Sequence, residues 1–503
     1  MNTLRIYLLG LFIVLSYLDV SCQILPTPFD VNDKGGYFEV KNILSYAYEG
    51  ENPFVKDIIE ENIFKGVKCI NNLECDDADL VLKYTSDLCD EEYKIDVSSK
   101  QIKIEYSDNN GLVYALQTLR QLNKSNKFKC LTIYDKPKVY FRSFMLDSGK
   151  QYQKIDKIKE IIDLLSILKF NFFHWHLTDG LGWRIEIKKY PDLTKIGAFV
   201  GKGKEQTGFY SQEEIKDIIS YAKNRGIEVI PEIDMPGHSE AALASYPYLG
   251  CFNTVPDIPQ TGFTENIICA GKDSSINFLK DVLDEVCSLF PSKYVHIGGD
   301  EAPKGNWNKC EHCQKRIEEL NLNDSHSLQM WLTCEIANYL RKKGKYVICW
   351  GDVVRNGDYS LPDNVIVHWW NWIGHKDEAL RKAEKMNLKV ICGTNYYTYL
   401  NFPEKPWKGY KEDRTFNIKD IYTKNPSYEN LSNSSVIGMS CALWGDYELT
   451  ENMLFPRLLP RIFALSEQMW NSGKLLPFEK FNDIVENKKI WLNSLGYAYD
   501  EDY

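Results

Sequence analysis

The chain has 503 residues, 44% of them hydrophobic, and carries a formal net charge of -10 with a pI near 5.5. This length is too great for one small core, so two domains are expected. The acidic balance, without any tract rich in lysine or arginine, argues against nucleic acid or an anionic membrane as a partner.

The first 22 residues have the pattern of a cleavable secretory signal. One cation, Arg5, precedes an apolar run over residues 6–17, and small residues end the segment at Val20-Ser21-Cys22. The alternative is a membrane anchor, but the run is shorter than the roughly 20 residues that a span requires. No later stretch of the sequence is long and apolar enough to cross a bilayer. The mature chain is therefore expected to be soluble and exported, either secreted or lysosomal.

Residues 23–137 are predicted to form a small α+β domain without a catalytic cluster. Residues 93–97 and 101–106 alternate polar and apolar side chains, as half-exposed strands do, and residues 111–122 have apolar side chains at helical spacing. Pro137 marks the expected boundary with the next domain.

Residues 138–473 repeat a short apolar strand, a polar residue at its end, and an amphipathic helix. Eight strands are predicted, at residues 143–146, 170–175, 228–233, 294–297, 346–349, 365–367, 390–392 and 437–443. Eight strands alternating with helices over roughly 330 residues indicate a (β/α)8 TIM barrel, whose active site lies at the carboxyl ends of the strands. Residues 474–503 are expected to finish as a helix against the barrel, followed by a solvated acidic tail at 500–502.

The cysteines and sequons fit an exported chain. Thirteen of the 14 cysteines follow the signal and can oxidise after export. Cys310-Glu-His-Cys313 resembles half a zinc site, but no second cysteine pair lies nearby, so a disulfide-closed turn is preferred. Cys251 and Cys269 bracket a loop with Pro and Gly and are the best candidates for another disulfide. Glycosylation sequons begin at Asn123, Asn323, Asn430 and Asn433.

Carboxylates and aromatic side chains follow nearly every predicted barrel strand. In chain order they are Asp147, His176 with Asp179, Asp234 and His238, Asp300 with Glu301, Trp350 with Asp352, Trp369 with Trp370, Tyr399 with Asn401, and Trp444 with Asp446. Such convergence on one face predicts an active site rather than a solvated acidic loop.

Asp300 and Glu301 are adjacent carboxyls that follow a buried strand. Neighbouring residues on a regular strand point to opposite faces, so the two carboxyls share one pocket only if the backbone turns. Gly298 and Gly299 allow that turn. When two carboxyls share one pocket, the pKa of one of them is raised. Glycoside hydrolysis uses such a pair, a protonated carboxylic acid beside a carboxylate.

Five motifs follow one another along the predicted barrel. They are Arg142-Ser-Phe-Met-Leu-Asp, His174-Trp-His-Leu-Thr-Asp with Gly182-Trp-Arg, Pro231-Glu-Ile-Asp-Met-Pro-Gly-His, His296-Ile-Gly-Gly-Asp-Glu and Ala442-Leu-Trp-Gly-Asp. Together they resemble the β-N-acetylhexosaminidases of glycoside hydrolase family twenty. The resemblance extends over residues 80–473, and the His-x-Gly-Gly-Asp-Glu motif is its most specific part.

The resemblance implies an exo-acting, retaining enzyme whose substrate supplies the nucleophile. The 2-acetamido oxygen of a terminal β-linked GlcNAc or GalNAc would attack the anomeric carbon and give an oxazolinium intermediate. Glu301 would be the general acid and then the general base, Asp300 would hold the acetamido N–H, and Tyr399 would donate to the acetamido oxygen. No cofactor or metal is expected. Members of that family are often dimers, so a homodimer is one expected assembly.

The resemblance also implies which residues bind the sugar. They are Arg142, Asp179, His238, Trp350, Trp369, Trp370, Asn401, Trp444 and Asp446. Of the tryptophan doublet, Trp369 is favoured for the sugar-facing position, and Arg142 has a structural ion-pair role as its alternative. Asn401 and Asp446 depart from the family pattern, which usually has Asp and Glu there, so the preference between gluco and galacto sugars stays open.

Two alternative functions remain at this point. A metal-dependent barrel hydrolase would use His174 and His176 with histidines on later strands, and its activity would be lost in a chelator. A carbohydrate-binding protein without turnover would keep the fold, since fold alone does not establish activity. The presence of both Asp300 and Glu301 argues against the binding protein.

Overall fold

The structure is a computed structural model, and it describes residues 24–40, 42–72, 77–201, 207–258, 264–371, 378–406, 414–446 and 449–497. The predicted secretory signal and the acidic tail lie outside these ranges. The chain divides into two compact units. The described parts of residues 1–138, 167–169 and 466–498 form the first, and those of residues 139–166 and 170–465 form the second.

The first unit contains a mixed sheet of seven strands. In chain order they are β1 (Asp30–Glu39), β2 (Ile43–Ala47), β3 (Lys68–Asn71), β4 (Leu80–Tyr84), β5 (Tyr93–Val97), β6 (Ile102–Tyr106) and β7 (Lys127–Asp135). Their order in the sheet is β1-β7-β5-β6-β4-β2-β3. The helical segments of this unit are Pro53–Asp57, the π-helical turn Ile58–Ile63, Asn109–Leu122 and Phe478–Ser494. The C-terminal helix thus belongs to the first unit, and the predicted α+β character is confirmed.

The helix Asn109–Leu122 illustrates how the sequence directs this unit. Asp108 caps the helix, because its side chain accepts a 2.7 Å hydrogen bond from the Gly111 N–H. Leu112, Leu116 and Leu119 are buried at helical spacing in the core that also contains the inward-facing strand residues. The polar cap and the apolar stripe together fix where the helix begins and which face it buries.

A buried ion pair lies in the core of the first unit. The Lys169 ammonium donates to Asp135 Oδ2 at 2.7 Å and to the Tyr93 hydroxyl at 2.8 Å, and all three side chains are excluded from solvent. The Trp470 indole N–H donates to the same carboxylate at 3.0 Å. These bonds satisfy charges that would otherwise be costly to bury.

The second unit contains a closed barrel of eight parallel strands, as the sequence predicts. They are β8 (Phe141–Asp147), β9 (Phe172–His176), β12 (Glu228–Glu232), β13 (Tyr294–His296), β14 (Tyr346–Trp350), β15 (Val365–Trp369), β16 (Lys389–Cys392) and β17 (Val436–Leu443), and β10 (Thr178–Asp179) and β11 (Gly182–Trp183) form a small hairpin after β9. β17 pairs with β8 from Gly438↔Phe141 to Leu443↔Leu146, which closes the barrel. Apolar side chains such as Phe172, Ile348 and Ile391 fill one layer of its interior.

Helices follow most barrel strands. The helices of this unit are Asp192–Lys195, Gln212–Asn224, Glu240–Ser245, Asp273–Leu289, Gly305–Lys309, Glu311–Glu319, Ser325–Arg341, Asp352–Asn356, Glu378–Lys385, Ile418–Lys424, Pro426–Glu429 and Leu454–Leu458, with short 3-10 turns at Gly197–Phe199, Pro247–Leu249, Asn430–Ser432 and Glu451–Met453. The helices Ile155–Ile167 and Arg461–Trp470 begin in this unit and end in residues assigned to the first. None of the described helices combines the length and the apolar character needed to cross a bilayer.

The disulfide predictions are wrong for the described part of the chain, where every cysteine has a free thiol. Cys269 Sγ lies 3.5 Å from Cys313 Sγ and 3.8 Å from Cys310 Sγ. Cys251 Sγ lies 3.9 Å from Cys313 Sγ. A disulfide requires a separation of about 2.05 Å. The four cysteines of the two predicted disulfides form one cluster instead of two bonded pairs.

Replacing Lys169 with methionine is expected to lower the free energy of unfolding by about 3–5 kcal/mol, because Asp135 is then left buried without its counter-ion. Urea denaturation measures this change. The matched control is Lys34→Ala, which removes an exposed ion pair with Asp96 and is expected to cost less than about 1 kcal/mol. Equal losses in the two variants would contradict the role given to burial.

Candidate active site

A cavity of about 140 Å³ lies at the carboxyl ends of the barrel strands. Its lining residues are Lys150, His176, Asp179, Asp234, His238, Asp300, Glu301, Trp370, Tyr399, Phe402, Arg414, Trp444 and Asp446. The structure therefore brings together eight of the twelve predicted site residues. Arg142, Trp350, Trp369 and Asn401 do not line the cavity.

The backbone after β13 turns sharply before Asp300 and Glu301. Gly298 and Gly299 have φ angles of +61° and +100°, and Glu301 is also left-handed at +44°. A Cβ on Gly298 would lie 1.8 Å from Asp234 Oδ1. The same carboxylate oxygen accepts the Gly299 N–H at 2.9 Å. Asp234 thus holds the turn that directs both carboxyls toward the cavity.

Asp300 and Glu301 occupy different environments in this cavity. Asp300 is 9% exposed, and its buried Oδ1 accepts no hydrogen bond from any residue that the structure describes. The Glu301 side chain is half exposed, at 51%. His238 Nε2 lies 3.6 Å from Asp300 Oδ2 and 3.7 Å from Glu301 Oε2, so one imidazole bridges the two carboxyls.

These environments shift the titration of all three groups. Burial raises the pKa of Asp300, and burial together with the neighbouring Asp300 charge raises the pKa of Glu301. Burial alone would lower the pKa of His238. The negative charges of Asp300 and Asp179 have a larger, opposite effect, so the pKa of His238 is raised. Glu301 is consequently the more accessible carboxyl and is suited to hold and release a proton.

Aromatic side chains form one wall of the cavity. The Trp370 and Tyr399 rings are stacked at 6.3 Å, and the Trp444 ring lies 5.8 Å from Tyr399. The Trp370 indole donates to Asp352 Oδ2 at 2.6 Å, which fixes its orientation. Burial, followed by the Asp300 charge, raises the pKa of Tyr399 well above its usual value, so its hydroxyl keeps its proton and remains a donor.

Lys150 is the main cation of the cavity and was missed by the sequence analysis. Its ammonium lies 3.2 Å from Asp446 Oδ1, 3.9 Å from Asp179 Oδ2 and 3.8 Å from Asp147 Oδ2. It also lies 4.6 Å from the centre of the Trp444 ring. Burial would lower the pKa of Lys150, but the carboxylates outweigh it and raise the pKa. In the sequence, its one indication of a place at the site is its position three residues after Asp147, which follows a predicted strand.

Arg142 has a structural role, and its predicted sugar-binding role is wrong. Its guanidinium donates to the Val139 carbonyl at 2.8 Å, near the amino end of β8. Asp147 ends that strand five residues later, which corresponds to roughly 16 Å along an extended chain. The Arg142 side chain is therefore at the far end of the barrel from the cavity.

The favoured assignment within the tryptophan doublet is also wrong. Trp369 is fully buried, whereas Trp370 lines the cavity. Consecutive residues point to opposite sides of an extended backbone, so only one of the two can face the cavity. Trp350 lies inside the barrel, where its indole donates to Glu232 Oε1 at 2.9 Å and stacks on His368 at 4.3 Å.

Asn401 does not line the cavity, but it contacts Asp446, which does. Asn401 is 2% exposed, and its amide donates to Asp446 Oδ2 at 3.2 Å. An aspartate at position 401 would place two carboxylates in contact, whereas the neutral amide leaves the Asp446 charge available to Lys150. The two departures from the family pattern are therefore physically linked, because one residue holds the other.

Histidines and carboxylates beneath and within the cavity come close enough to hold a metal. Ligand atoms of His174, His296 and His368 lie within 4.8 Å of one another, as do those of Asp234, His238 and Asp300. Two members of the first group contact one carboxylate, since Glu232 lies 2.8 Å from His174 Nε2 and 3.1 Å from His296 Nδ1. Glu232 also contacts His176 Nδ1 at 2.5 Å. One buried carboxylate thus lies among three of the imidazoles.

Two family models match the chain. The one described as "Glycosyl hydrolase family 20, catalytic domain" matches residues 140–473, and the one described as "Glycosyl hydrolase family 20, domain 2" matches residues 21–136. Among curated proteins, a beta-hexosaminidase of Porphyromonas gingivalis is 32% identical over 96% of this chain. The chain spans 64% of that relative's length. A beta-hexosaminidase of Vibrio furnissii is 33% identical over 77% of this chain and 67% of its own length.

Solved structures are similar over nearly the whole chain. A beta-N-acetylhexosaminidase from Bacteroides fragilis is 51% identical, with a TM-score of 0.90, and the match covers 95% of this chain and 96% of that one. An exo beta-N-acetylglucosaminidase from Vibrio harveyi, solved with N-acetylglucosamine, is 27% identical with a TM-score of 0.83. That match covers 96% of this chain and 79% of the Vibrio chain.

Replacing Gly298 with alanine is expected to lower the melting temperature markedly, because the added methyl collides with Asp234 and the residue is left-handed. Gly344→Ala is the matched control. Gly344 is also left-handed, at +74°, but no described atom lies within 4 Å of the position that a Cβ would occupy there. Thermal denaturation of both variants separates the collision from the cost of the backbone angle. Equal shifts would show that Asp234 does not constrain the turn.

Proposed function

The chain belongs to glycosyl hydrolase family 20, and we propose that it is an exo-acting, retaining β-N-acetylhexosaminidase. It would remove terminal non-reducing β-linked GlcNAc or GalNAc from glycoconjugates or chitooligosaccharides. The observation that carries this proposal is the buried Asp300 Oδ1, which accepts no hydrogen bond from a described residue, beside the half-exposed Glu301. Asp300 Oδ1 can accept a hydrogen bond from an amide N–H, and the neighbouring Glu301 carboxyl is exposed to solvent.

In the first step, the acetamido carbonyl oxygen attacks the anomeric carbon as the bond to the leaving oxygen breaks. Glu301 gives its proton to that oxygen, so the aglycone departs as an alcohol. Asp300 accepts the acetamido N–H and offsets the positive charge that develops on the oxazolinium ring. Tyr399 donates its hydroxyl to the acetamido oxygen and orients it for attack, which the raised pKa of that hydroxyl supports.

In the second step, water replaces the acetamido oxygen at the anomeric carbon. Glu301, now a carboxylate, takes a proton from the water, and the oxazolinium ring opens to regenerate the acetamide. Each step inverts the anomeric carbon, so the product retains its configuration. His238, which lies between Glu301 and Asp300, stabilises the anionic state of both carboxyls between the steps.

Lys150, Asp179 and Asp446 are suited to bind sugar hydroxyls. The ammonium supplies donors and the carboxylates supply acceptors, and their charges offset one another when no sugar is bound. Trp370 and Trp444 present apolar faces to the same cavity, as the apolar faces of a sugar ring require. This arrangement supports a site for a single pyranose ring and therefore exo cleavage.

We also propose export to a secreted or lysosomal location and a homodimeric assembly. The signal-like pattern of residues 1–22 supports export. The described cysteines do not add support, because all of them are free thiols. Of the four sequons, Asn323 and Asn433 are exposed, and the Asn123 side chain donates to the Ile63 carbonyl. N-terminal sequencing of the purified protein tests the proposed export, and light scattering tests the proposed homodimer.

Hydrolysis of a chromogenic β-N-acetylglucosaminide is expected, with no cleavage of the matching β-glucoside, which lacks only the acetamido group. The acetamido oxygen is the nucleophile in the proposed mechanism, so its loss removes the first step. Initial rates with both substrates measure the difference. Similar rates would show that the protein supplies the nucleophile. Saturable binding of N-acetylglucosamine with no cleavage of either substrate would indicate a carbohydrate-binding protein.

Replacing Glu301 with glutamine is expected to lower kcat/KM for a disaccharide by about 10²–10⁴-fold, because the leaving alkoxide then receives no proton. The loss should be much smaller for a dinitrophenyl glycoside, whose leaving group needs no proton. In the native protein kcat/KM should fall as the pH rises through the raised pKa of Glu301, since only the protonated acid is active. This limb should vanish in the variant. Glu319→Gln is the control, and an unchanged pH profile in E301Q would refute the assignment.

Replacing Lys150 with methionine is expected to lower kcat/KM by about 10–100-fold, which corresponds to the loss of a charged hydrogen bond. The effect should appear mainly in KM, since Lys150 contacts the sugar and not the reacting atoms. Lys150→Arg should recover part of the loss. Lys157→Met, at a partly exposed helix position outside the cavity, should cause no loss. Steady-state kinetics check all three variants. An unchanged KM in Lys150→Met would remove Lys150 from the sugar site.

A further inference from the structure

Four cysteines from three segments of the second unit converge away from the cavity. Cys251 follows the 3-10 turn Pro247–Leu249, and Cys269 follows Ile268, which pairs with Gly250. Cys310 immediately precedes the helix Glu311–Glu319, and Cys313 lies in its first turn. Cys269, Cys310 and Cys313 are buried, and Cys251 is partly exposed. The four sulfur atoms all lie within 4.8 Å of one another.

Three of the six separations between these sulfur atoms are close to those of a tetrahedral site, and none of the six exceeds 4.8 Å. The shorter separations are 3.5 Å for Cys269–Cys313, 3.8 Å for Cys269–Cys310 and 3.9 Å for Cys251–Cys313. Four thiolates bound to one zinc ion at about 2.3 Å lie roughly 3.8 Å apart. We propose that Cys251, Cys269, Cys310 and Cys313 bind one structural zinc ion.

The arrangement does not fit two disulfides. Cys269 is close to two other sulfur atoms, and Cys313 is also close to two, so the cluster has no preferred pairs. The shortest separation, between Cys269 and Cys313, exceeds the length of a disulfide by about 1.5 Å. Thiols make only weak hydrogen bonds to one another, which leaves the convergence of four of them unexplained without a common ligand.

The surrounding backbone is shaped to bring these segments together. A Cβ on Gly271 would lie 2.2 Å from the His312 carbonyl carbon and 2.3 Å from the Cys313 nitrogen. Glycine at 271 therefore permits the close approach between the loop that carries Cys269 and the helix turn that carries Cys313.

Two cationic side chains bind the loops of the proposed site, and one of them, Arg316, also pairs with Asp273. One zinc ion with four thiolates carries a net charge of -2. The Lys272 ammonium donates to the Gly250 carbonyl at 2.5 Å, and Arg316 donates to the Gly271 carbonyl at 3.3 Å. Both cations are thus attached to the loops that supply Cys251 and Cys269. The amino end of the helix Glu311–Glu319 adds a favourable dipole for Cys310 and Cys313.

The site would fasten loops that reach the cavity. The Ile268 N–H donates to the Pro236 carbonyl at 2.9 Å, two residues before His238. Trp307 lies on the segment that follows Glu301, and its indole N–H donates to the Ile268 carbonyl at 3.1 Å. A zinc ion bound here would hold the strand-end loops of β12 and β13 together, in a structural role without contact to substrate.

The test is the zinc content of the full chain, expressed with added zinc and purified without chelator. About one zinc ion per chain is expected by mass spectrometry of the metals, released when a mercurial reagent blocks the thiols. Cobalt in place of zinc should give the strong visible bands of a tetrahedral thiolate site. A chain without stoichiometric zinc overturns the proposal, and so does a disulfide among the four cysteines in a non-reducing peptide map.

Variants add a second measurement. Cys313→Ser is expected to lower the zinc content at least about fivefold and to lower the melting temperature, because one of four ligands is lost. The control is Cys287→Ser, a partly buried cysteine outside the cluster, which should retain the metal. Retention of zinc by Cys313→Ser at the control level would show adventitious binding and overturn the proposal. The native protein's metal content decides the question if the variant does not fold.

Discussion

The hydrogen bond from the Gly299 N–H to Asp234 Oδ1 controls the position of the Asp300 and Glu301 carboxyls. Asp234 lies just beyond β12, and Gly299 just beyond β13, so the bond joins two neighbouring barrel strands at their carboxyl ends. The left-handed glycines let the backbone turn over the aspartate, where a side chain at 298 has no room. Asp300 and Glu301 then emerge from the turn toward one cavity.

The cavity concentrates negative charge, and its chemistry depends on how that charge is balanced. His176 pairs with Glu232, and Lys150 pairs with Asp446, whereas the imidazole of His238 stays 3.7 Å from Glu301. Burial and the charge of Asp300 therefore raise the pKa of Glu301, whereas Lys150 helps to lower the pKa of Asp179 against the effect of burial. Two carboxyls in one cavity thus have their pKa values shifted in opposite directions, upward for Glu301 and downward for Asp179.

Much of the architecture follows from local patterns. The strand periodicity and the polar residues at strand ends identify the barrel and place Asp300, Glu301 and Tyr399 on one face, because parallel strands bring their carboxyl ends together. Lys150 belongs to no recognised motif, and its approach to Asp179 and Asp446 depends on tertiary contacts of the loop after β8. Phe402 and Arg414 carry no motif either, and only the folded loops bring them to the cavity.

The errors have physical reasons of the same kind. Arg142 belongs to a conspicuous motif, but its position at the start of β8 directs its guanidinium away from the cavity. The choice between Trp369 and Trp370 depends on which side of the backbone faces the barrel, and a doublet has no periodicity to decide it. Disulfides were paired by sequence distance, whereas the fold brings Cys269 closest to Cys313, 44 residues away.

In the proposed mechanism the substrate's acetamido oxygen is the nucleophile. The most direct measurement is kcat/KM for aryl glycosides of N-acetylglucosamine in which the acetyl methyl carries no, one, two or three fluorine atoms. Fluorine withdraws electrons from the carbonyl oxygen without changing the leaving group, so the account predicts a steep, steady fall in kcat/KM along the series. A rate that stays constant across the series would contradict it, because a nucleophile on the protein does not respond to the acetyl group.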